Sequence, residues 1–317
     1  MSDMRPAGGT VIVAGSINVD LIVGVRHLPT AGETVLGDRF VQQNGGKSAN
    51  QAVAASRAGA RVVMLGAVGD DDLGRSALDG LAAEGVDVSL CRRVHGEHTG
   101  LALIVVDDAG ENQIAVAQGA NARLDGSMIR EQTTQLVPPR GAVCLLGFEV
   151  GDDAVLTAAR WASGLGLRII LNPAPARPIL DEVLDMRPLL TPNETEAAML
   201  AGVSGPEAAA RTLSERTGAP VIVSLGAEGT LLWTSGRSVR HPATPVTPVD
   251  TTGAGDALNG ILAAELARGA GLEDALRWAM VGAALKTTRP GAQAGLPTRE
   301  VIAAHMGAGH RMAEAGT

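Results

Sequence analysis

Short runs rich in Val, Ile and Leu alternate along most of this chain with segments whose apolar residues recur every three or four positions. That alternation constrains the fold more than any other feature. Residues 11–14, 61–66, 142–147, 168–171, 189–191 and 221–225 read as strands. Helical patterns run from Asn44 through Ala58 and over 71–84, 153–165, 193–201 and 206–217, with a last one from Leu272 to about Lys286. Strands separated by helices pair in parallel, because a parallel connection needs a long crossover, and a parallel sheet is covered by helices on both faces. The expected class is α/β with a mainly parallel central sheet.

Two segments, 21–41 and 99–118, interrupt the alternation. In the second, apolar runs over 99–106 and 113–117 flank the turn-forming residues 107–112, a hairpin signal. These segments are expected to form a small separate β layer, a lid, with its strands within 16–43 and 97–120. There is no internal repeat, low-complexity tract or linker, so residues 1–317 read as one unit.

Aromatic residues make up only 2% of the chain, so its core must be packed from Ala, Val, Leu and Ile. A net charge of −8 argues against nucleic acid as a main partner but leaves room for ATP, which needs only a local positive site. Cys91 and Cys144 fit no disulfide or metal pattern and read as buried small residues in a reducing compartment. The six histidines show no metal spacing. Residues 1–10 carry no apolar signal core, and no run reaches the length of a membrane span, so a soluble, cytoplasmic protein is expected. Lysine occurs only at Lys47 and Lys286.

The chemistry is organised around Asp250-Thr251-Thr252-Gly253-Ala254-Gly255-Asp256. This stretch follows an extended, Pro-interrupted run over 241–249 and opens a helical pattern carried by Leu258, Ile261, Leu262 and Leu266. The loop therefore lies at a helix N-terminus, whose first N–H groups lack partners and face outward as an anion site. Asp256 falls in the first turn, where the helix dipole favours a carboxylate. An anion hole beside a fixed carboxylate suits phosphoryl transfer to an alcohol: amides stabilise developing charge, and the carboxylate takes or orients the hydroxyl proton. The plainer alternative is a turn whose acidic residue only complements the dipole.

Other polar residues fall at the carboxyl ends of the expected strands, where ligands gather in such sheets. Asn18 and Asp20, two positions apart, share one side of an extended segment. With Asn50 and Glu149 they would pair a sugar's hydroxyls, although Asn18 and Asp20 equally suit a turn. Gly45-Gly46-Lys47 at a helix start is a second anion nest with a cation, or a plain tight turn. Asn193 and Glu196 have capping-box spacing; in the functional alternative Asn193 faces phosphate and Glu196 holds Mg²⁺ through water. Gly226-Ala227-Glu228-Gly229 underlies a nucleotide or simply turns the chain into a strand over 230–234. The GxGxxG and GxxxxGK[ST] spacings are absent, which disfavours a dehydrogenase or a Walker-type ATPase.

Together these residues carry a resemblance. The run from Gly45 through Gly46, Lys47, Ser48, Ala49, Asn50 and Gln51 to Ala52 resembles the N-terminal signature of the ribokinase-like (PfkB) carbohydrate kinases, and 250–256 resembles their C-terminal one. Gly15-Ser16-Ile17-Asn18-Val19-Asp20, Ala31-Gly32-Glu33-Thr34, Asn172-Pro173-Ala174-Pro175-Ala176-Arg177 and Thr191-Pro192-Asn193-Glu194-Thr195-Glu196 resemble the ribokinase branch. The similarity extends from Val11 to about Pro297. It implies a three-layer α/β/α domain whose β lid also makes a homodimer contact. It further implies transfer of the ATP γ-phosphoryl to the 5-hydroxyl of D-ribose, with Asp256 as base and Gly253, Ala254 and Gly255 as anion hole. Asn18, Val19, Asp20, Gly46, Lys47, Ser48, Ala49, Asn50 and Glu149 would hold the sugar with Asp256. Asn193, Ser224, Leu225, Gly226, Ala227, Glu228, Gly229 and Met280 would line the ATP site, with Glu196 near Mg²⁺. A monovalent cation, usually K⁺, would take groups of Asp250, Thr252, Lys286, Arg289, Gly291 and Gly295.

Three residues depart from the family pattern. Ser48 stands where Gly is common, Gly295 lacks a hydroxyl for the cation, and Met280 replaces a polar neighbour of adenine. Two further readings stay open: a kinase of the same fold acting on deoxyribose, a ketose or a nucleoside, and a non-catalytic sugar-binding regulator. The intact Asp256 and its glycine loop argue against the second.

Overall fold

The computed structural model describes residues 8–314; readings that fall on residues 1–7 and 315–317, including the ends of the expected 1–317 unit, lie outside them. The chain begins with β1 (Thr10–Ala14), β2 (Asn18–Gly24), β3 (Arg39–Gly45), α1 (Lys47–Arg57), β4 (Arg61–Leu65), β5 (Ala67–Gly69) and α2 (Asp72–Ala83). It continues through β6 (Val86–Asp87), β7 (Arg92–Val94), β8 (Gly100–Val106), β9 (Asn112–Ala117), α3 (Gly126–Thr133), β10 (Val143–Gly147) and α4 (Asp152–Gly164). Next come β11 (Arg168–Asn172), α5 (Asp181–Asp185), β12 (Leu189–Leu190), α6 (Glu194–Ala201), α7 (Pro206–Thr217) and β13 (Val221–Ser224). The last elements are β14 (Thr230–Thr234), β15 (Arg237–His241), α8 (Ala254–Arg268), α9 (Leu272–Thr287) and α10 (Arg299–Glu314).

Nine strands form the main sheet in the order β15-β14-β13-β12-β11-β10-β1-β4-β6. All pairs from β13 to β6 are parallel, and β14 runs antiparallel to both of its neighbours, β13 and β15. β1 is buried at every position, as a strand covered on both faces must be. Its side chains alternate: Val11 and Val13 enter one core with α1, α8 and α9, while Ile12 and Ala14 enter the other with α4 and α7. The fold is thus a three-layer α/β/α sandwich. Its strand order reverses between β1 and β10, which opens a crevice at their carboxyl ends. A four-stranded sheet, β3-β2-β8-β9, stands apart as the lid, with antiparallel outer pairs and a parallel β2–β8 pair.

Several details differ from the sequence reading. Asn44 and Gly45 end strand β3 instead of opening a helix, so the lid strands run past Gln43. Within the segment 241–249 only His241, the last residue of β15, is paired in a sheet. The helix over 272–287 is not the last, because α10 follows Pro297. β6 and β7, two and three residues long, are too short to display a period. Cys91 is only half-buried, with its thiol reaching the Met64 carbonyl at 3.5 Å; Cys144 is fully buried as expected. Among the described residues no helix is long and apolar enough to cross a membrane.

Helices α1 and α8 lie side by side on one face, and their closest approach is at Gly260. A Cβ there would stand 2.3 Å from the Gln51 carbonyl oxygen and 2.6 Å from Ala54 Cβ. In an exposed helix Gly→Ala gains about 1 kcal/mol, whereas forcing a methyl into a packed backbone contact costs about 1–3 kcal/mol. Here the contact is with main chain, which cannot rotate away. Gly260→Ala is therefore expected to lower stability by about 2 kcal/mol in chemical denaturation; a stabilised variant would show the helices to be free to separate.

Candidate active site

Asp256 sits in the first turn of α8, only 7% exposed. Its Oδ2 accepts from Asn50 Nδ2 at 2.9 Å and its Oδ1 from Gln51 Nε2 at 3.1 Å. Burial pushes its pKa above the ordinary carboxylate value, opposed by the Lys47 charge and by the Asn50 and Gln51 amides; Glu149 adds to the upward push. Desolvation is thus the largest influence on this carboxyl, and side-chain donors counter it. Gln51 Nε2 also donates to Asn172 Oδ1 at 2.9 Å, and Asn172 Nδ2 donates to the Thr191 carbonyl at 3.1 Å. Thr191 Oγ1 donates to Asn259 Oδ1 at 2.6 Å, and Asn259 Nδ2 to the Gly255 carbonyl at 2.9 Å. The chain of bonds starts at the carboxylate and returns to the loop beside it.

The loop before α8 is built as an anion cradle. Gly253 caps the helix at φ +79°, a conformation that side chains rarely adopt. The Ala254 amide donates to the Thr251 carbonyl at 3.1 Å, so it is spent within the turn. The amides of Gly253, Gly255 and Asp256 are left without acceptors among the described residues, and the space where a Gly255 side chain would project is open.

The polar pocket forms where β1 and β10 end. Glu149 Oε2 accepts from the Ser16 hydroxyl at 2.6 Å and from the Lys47 amide at 2.9 Å. Asn18 Oδ1 accepts from Asn121 Nδ2 at 2.7 Å, and Asn121 also braces both backbone groups of Ile17. Asp20 faces Glu149 and Asp256; burial first, then these two charges, raise its pKa to about 6. Among the described residues no group donates to the Asp20 carboxylate, which leaves its oxygens available as acceptors. Gly46, at φ +89°, packs its α-carbon against the Asn18 amide and the Ser16 carbonyl.

Some expected sugar contacts do not face this pocket. Val19 and Ala49 point into the apolar core and can offer only main chain. Ser48, expected to crowd or touch a sugar, is fully buried, with its hydroxyl in the space left by Gly15 and Gly147. Gln51, Asn121, Asn172 and Asn259 are the side chains that sequence reasoning assigned no role. Asn121 carries no local signal, because its partners lie far along the chain, and Asn259 is tied to Thr191, 68 positions away, as well as to Gly255 in its own helix.

On the other side of the cradle, Asn193 bridges Ser224 across adjacent strands, and the Leu225 amide donates to the Gly229 carbonyl at 2.8 Å. Gly226, Ala227 and Glu228 form an exposed 3₁₀ turn; the Glu228 carboxylate lies 3.5 Å from Arg240. Both capping-box bonds of Asn193 and Glu196 are present. Glu196 is half-buried, and burial raises its pKa against the pull of the Asn193 amide and Lys47. Met280 is buried on α9, and the Thr230 hydroxyl points at its sulfur at 3.2 Å.

The groups expected to ligate K⁺ do come together, but not around a vacant space. Lys286, fully buried, turns its ammonium into their midst: Nζ donates to the Asp250 carbonyl at 2.9 Å and lies 3.6 Å from Asp250 Oδ2. This donor set does not fit an added cation. Asp250 itself accepts from the amides of Thr252 and Gly291 at 2.9 and 2.7 Å. Burial works to raise its pKa, yet these bonds and the Lys286 charge hold it below the ordinary value.

The family description "pfkB family carbohydrate kinase" matches residues 9–299. A ribokinase of Bacillus subtilis (strain 168) is 40% identical over 295 residues, covering 92% of this chain and 97% of that protein. A deoxyribokinase of Salmonella typhimurium is 34% identical over 296 residues, covering 92% and 96%. The structure of Arabidopsis thaliana ribokinase complexed with ribose and ATP superposes with a TM-score of 0.82 at 28% identity, covering 93% of this chain and 97% of that one.

Asp20 gives a test of the pocket's electrostatics without any ligand. Its folded pKa lies above the unfolded one, so the folded state binds the proton more tightly and stability falls as pH rises through about 6. Asp20→Asn removes that penalty. At pH about 8 the variant is expected to be more stable by about 1–2 kcal/mol, after discounting for partial exposure, with the gain vanishing below pH about 4. A variant less stable than the parent across that range would mean that the carboxylate is already satisfied.

Proposed function

The chain belongs to the pfkB family of carbohydrate kinases, and on that premise we propose that it is an ATP-dependent kinase that phosphorylates the 5-hydroxyl of D-ribose to give ribose 5-phosphate. The carrying observation is the Asp256 carboxylate, buried, held on both oxygens and adjoining free amides at the start of α8. The sugar hydroxyl approaches this carboxylate, which accepts its proton as the oxygen attacks the γ-phosphorus, and ADP leaves. Burial that lifts the Asp256 pKa makes it a stronger acceptor. The Gly255 and Asp256 amides lie where charge develops on the transferred phosphoryl. Asn50 and Gln51 keep the carboxylate aimed. Asn18, Asp20 and Glu149 pair the remaining hydroxyls, and Lys47 offsets the charge of these acids.

Asn193 and the exposed turn at Gly226, Ala227 and Glu228 line the ATP side, with Met280 behind them on α9. Mg²⁺, bound with the ATP phosphates, would neutralise their charge. Glu196 fits a water-mediated role: one oxygen is used in the capping box, and the carboxylate keeps a second. Its free thiols suit the reducing, ATP-containing cytoplasm.

A homodimer contact through the lid is the other part of this reading. The exposed Val41, Ile114 and Val116 share one face of the lid sheet, an apolar patch that a monomer would leave wet. Light scattering at micromolar concentration should give twice the chain mass, and Ile114→Asp with Val116→Asp the chain mass. A monomeric parent protein would remove the dimer from the proposal.

Asp256→Asn should reduce kcat by about 10²–10⁴-fold while ribose binding by calorimetry survives. Near-normal turnover would mean another group takes the proton. The sugar is identified by ADP release with D-ribose, 2-deoxy-D-ribose, D-fructose and a nucleoside, with ribose expected to give the highest kcat/KM. The similarity to a deoxyribokinase makes 2-deoxyribose the competing substrate.

A further inference from the structure

Lysine appears twice in this chain, and one of the two is the largest fully buried side chain among the described residues. A buried ammonium is costly unless oxygen atoms replace its water. Around Lys286 they do: the Asp250 carbonyl at 2.9 Å, the Arg289 carbonyl at 3.4 Å and the Asp250 carboxylate at 3.6 Å. The ammonium also sits in the last turn of α9, where the negative end of the helix favours a cation. Position 295 completes the picture. A Cβ on Gly295 would lie 3.0 Å from Lys286 Cε, and 2.9 and 3.0 Å from the carbonyl oxygens of Arg289 and Gly291. A hydroxyl-bearing residue at 295 and a lysine stem from 286 would therefore compete for one space. The absent side chain at 295 is the counterpart of the long one at 286.

We propose that the Lys286 ammonium is a tethered monovalent cation, occupying the place a potassium ion would take between Asp250 and the 289–295 turn, and that the kinase works without added potassium. This rests on the sugar-kinase reading of the site. The ammonium carries the charge of K⁺ and, like it, is satisfied by oxygen. By holding the Asp250 carbonyl it ties the start of the 250–255 loop to the end of α9, while the Asp250 carboxylate ties the same loop to Gly291. The anion cradle next to Asp256 is thereby fixed without an exchangeable ion, and Lys286 acts as a positioning residue.

Two readouts test this, with tetramethylammonium chloride as the matched-ionic-strength control. In thermal unfolding of the ligand-free protein, the parent should show no K⁺-specific change. Lys286→Ala, which leaves the Asp250 carboxylate uncompensated beside a cavity lined by carbonyls, should melt lower and regain on the order of 2 °C or more when K⁺ exceeds its Kd about tenfold. In ADP release with MgATP and ribose, the parent rate should stay within about twofold from zero to about 100 mM K⁺, whereas Lys286→Ala should be slow and recover about tenfold. Lys286→Met retains the stem that fills the site and lacks the charge; it should be slow and not respond to K⁺, and it serves if the alanine variant does not fold. A parent protein activated or thermally stabilised by K⁺ would overturn the proposal, and so would a folded alanine variant indifferent to K⁺. If no sugar is phosphorylated in any salt, the kinase reading fails, while the thermal measurement still decides the cation.

Discussion

The structure depends on how one buried carboxylate is kept tolerable. Asp256 begins α8 with almost no contact with solvent, and removing a carboxylate from water is expensive unless donors replace it. Those donors come from α1, in the form of Asn50 and Gln51, so the two helices must meet at one register. Gly260 permits that register by letting the Gln51 carbonyl approach the α8 backbone. Gln51 in turn is held by Asn172 at the end of β11. A helix pair, a strand end and a loop are thus positioned by the needs of a single group. The compensation stops short of completion: burial still lifts the pKa, leaving a group ready to take a proton.

The sheet supplies the place for this. Because the strand order reverses between β1 and β10, the chain leaves those neighbours in opposite directions and a gap opens above their ends. The segment after β1 carries Ser16, Asn18 and Asp20, and that after β10 carries Glu149. A hydrogen bond from Ser16 to Glu149 closes the floor of the gap. The lid grows from the same segment, since β2 begins at Asn18, so any movement of the lid is felt by the pocket acids. Asp20 lies on β2 with a raised pKa and, among the described residues, no donor to its carboxylate.

The sequence conveyed the layered fold because a strand buried on both faces and an amphipathic helix leave different periods. Short elements such as β6 and β7 fall below the length at which a period exists, and α10 lies beyond the last strong pattern. At the site, residues that act locally were readable: the cap at Asn193, the loop at Gly253 and the acid at Asp256. Residues that act by reaching across the fold were not. Asn121 braces Ile17 from 104 positions away, and Asn259 links the Gly255 carbonyl in its own helix to Thr191, 68 positions distant. Ser48 was hidden for another reason: Asn50 in the same turn of α1 reaches Asp256, but the helix turns the Ser48 hydroxyl toward two glycines.

Arginine carries nearly all the positive charge of this chain, which makes the two lysines informative. Lys47 lends its charge to Asp256 and Glu196, and Lys286 to Asp250. An arginine at either position would bring a planar fork of five donors, too broad for a space bounded by a few carbonyls or a small substrate. An ammonium is compact and can be surrounded. Both places where the site needs a positive point charge, and not a bidentate clamp, hold the residue that supplies one. At Lys286 the same compactness lets the side chain end among main-chain oxygens as an ion would, with Gly295 giving up its side chain to admit the stem. An exchangeable ion would leave the cradle dependent on its concentration. A tethered one makes the geometry beside Asp256 a property of the fold alone.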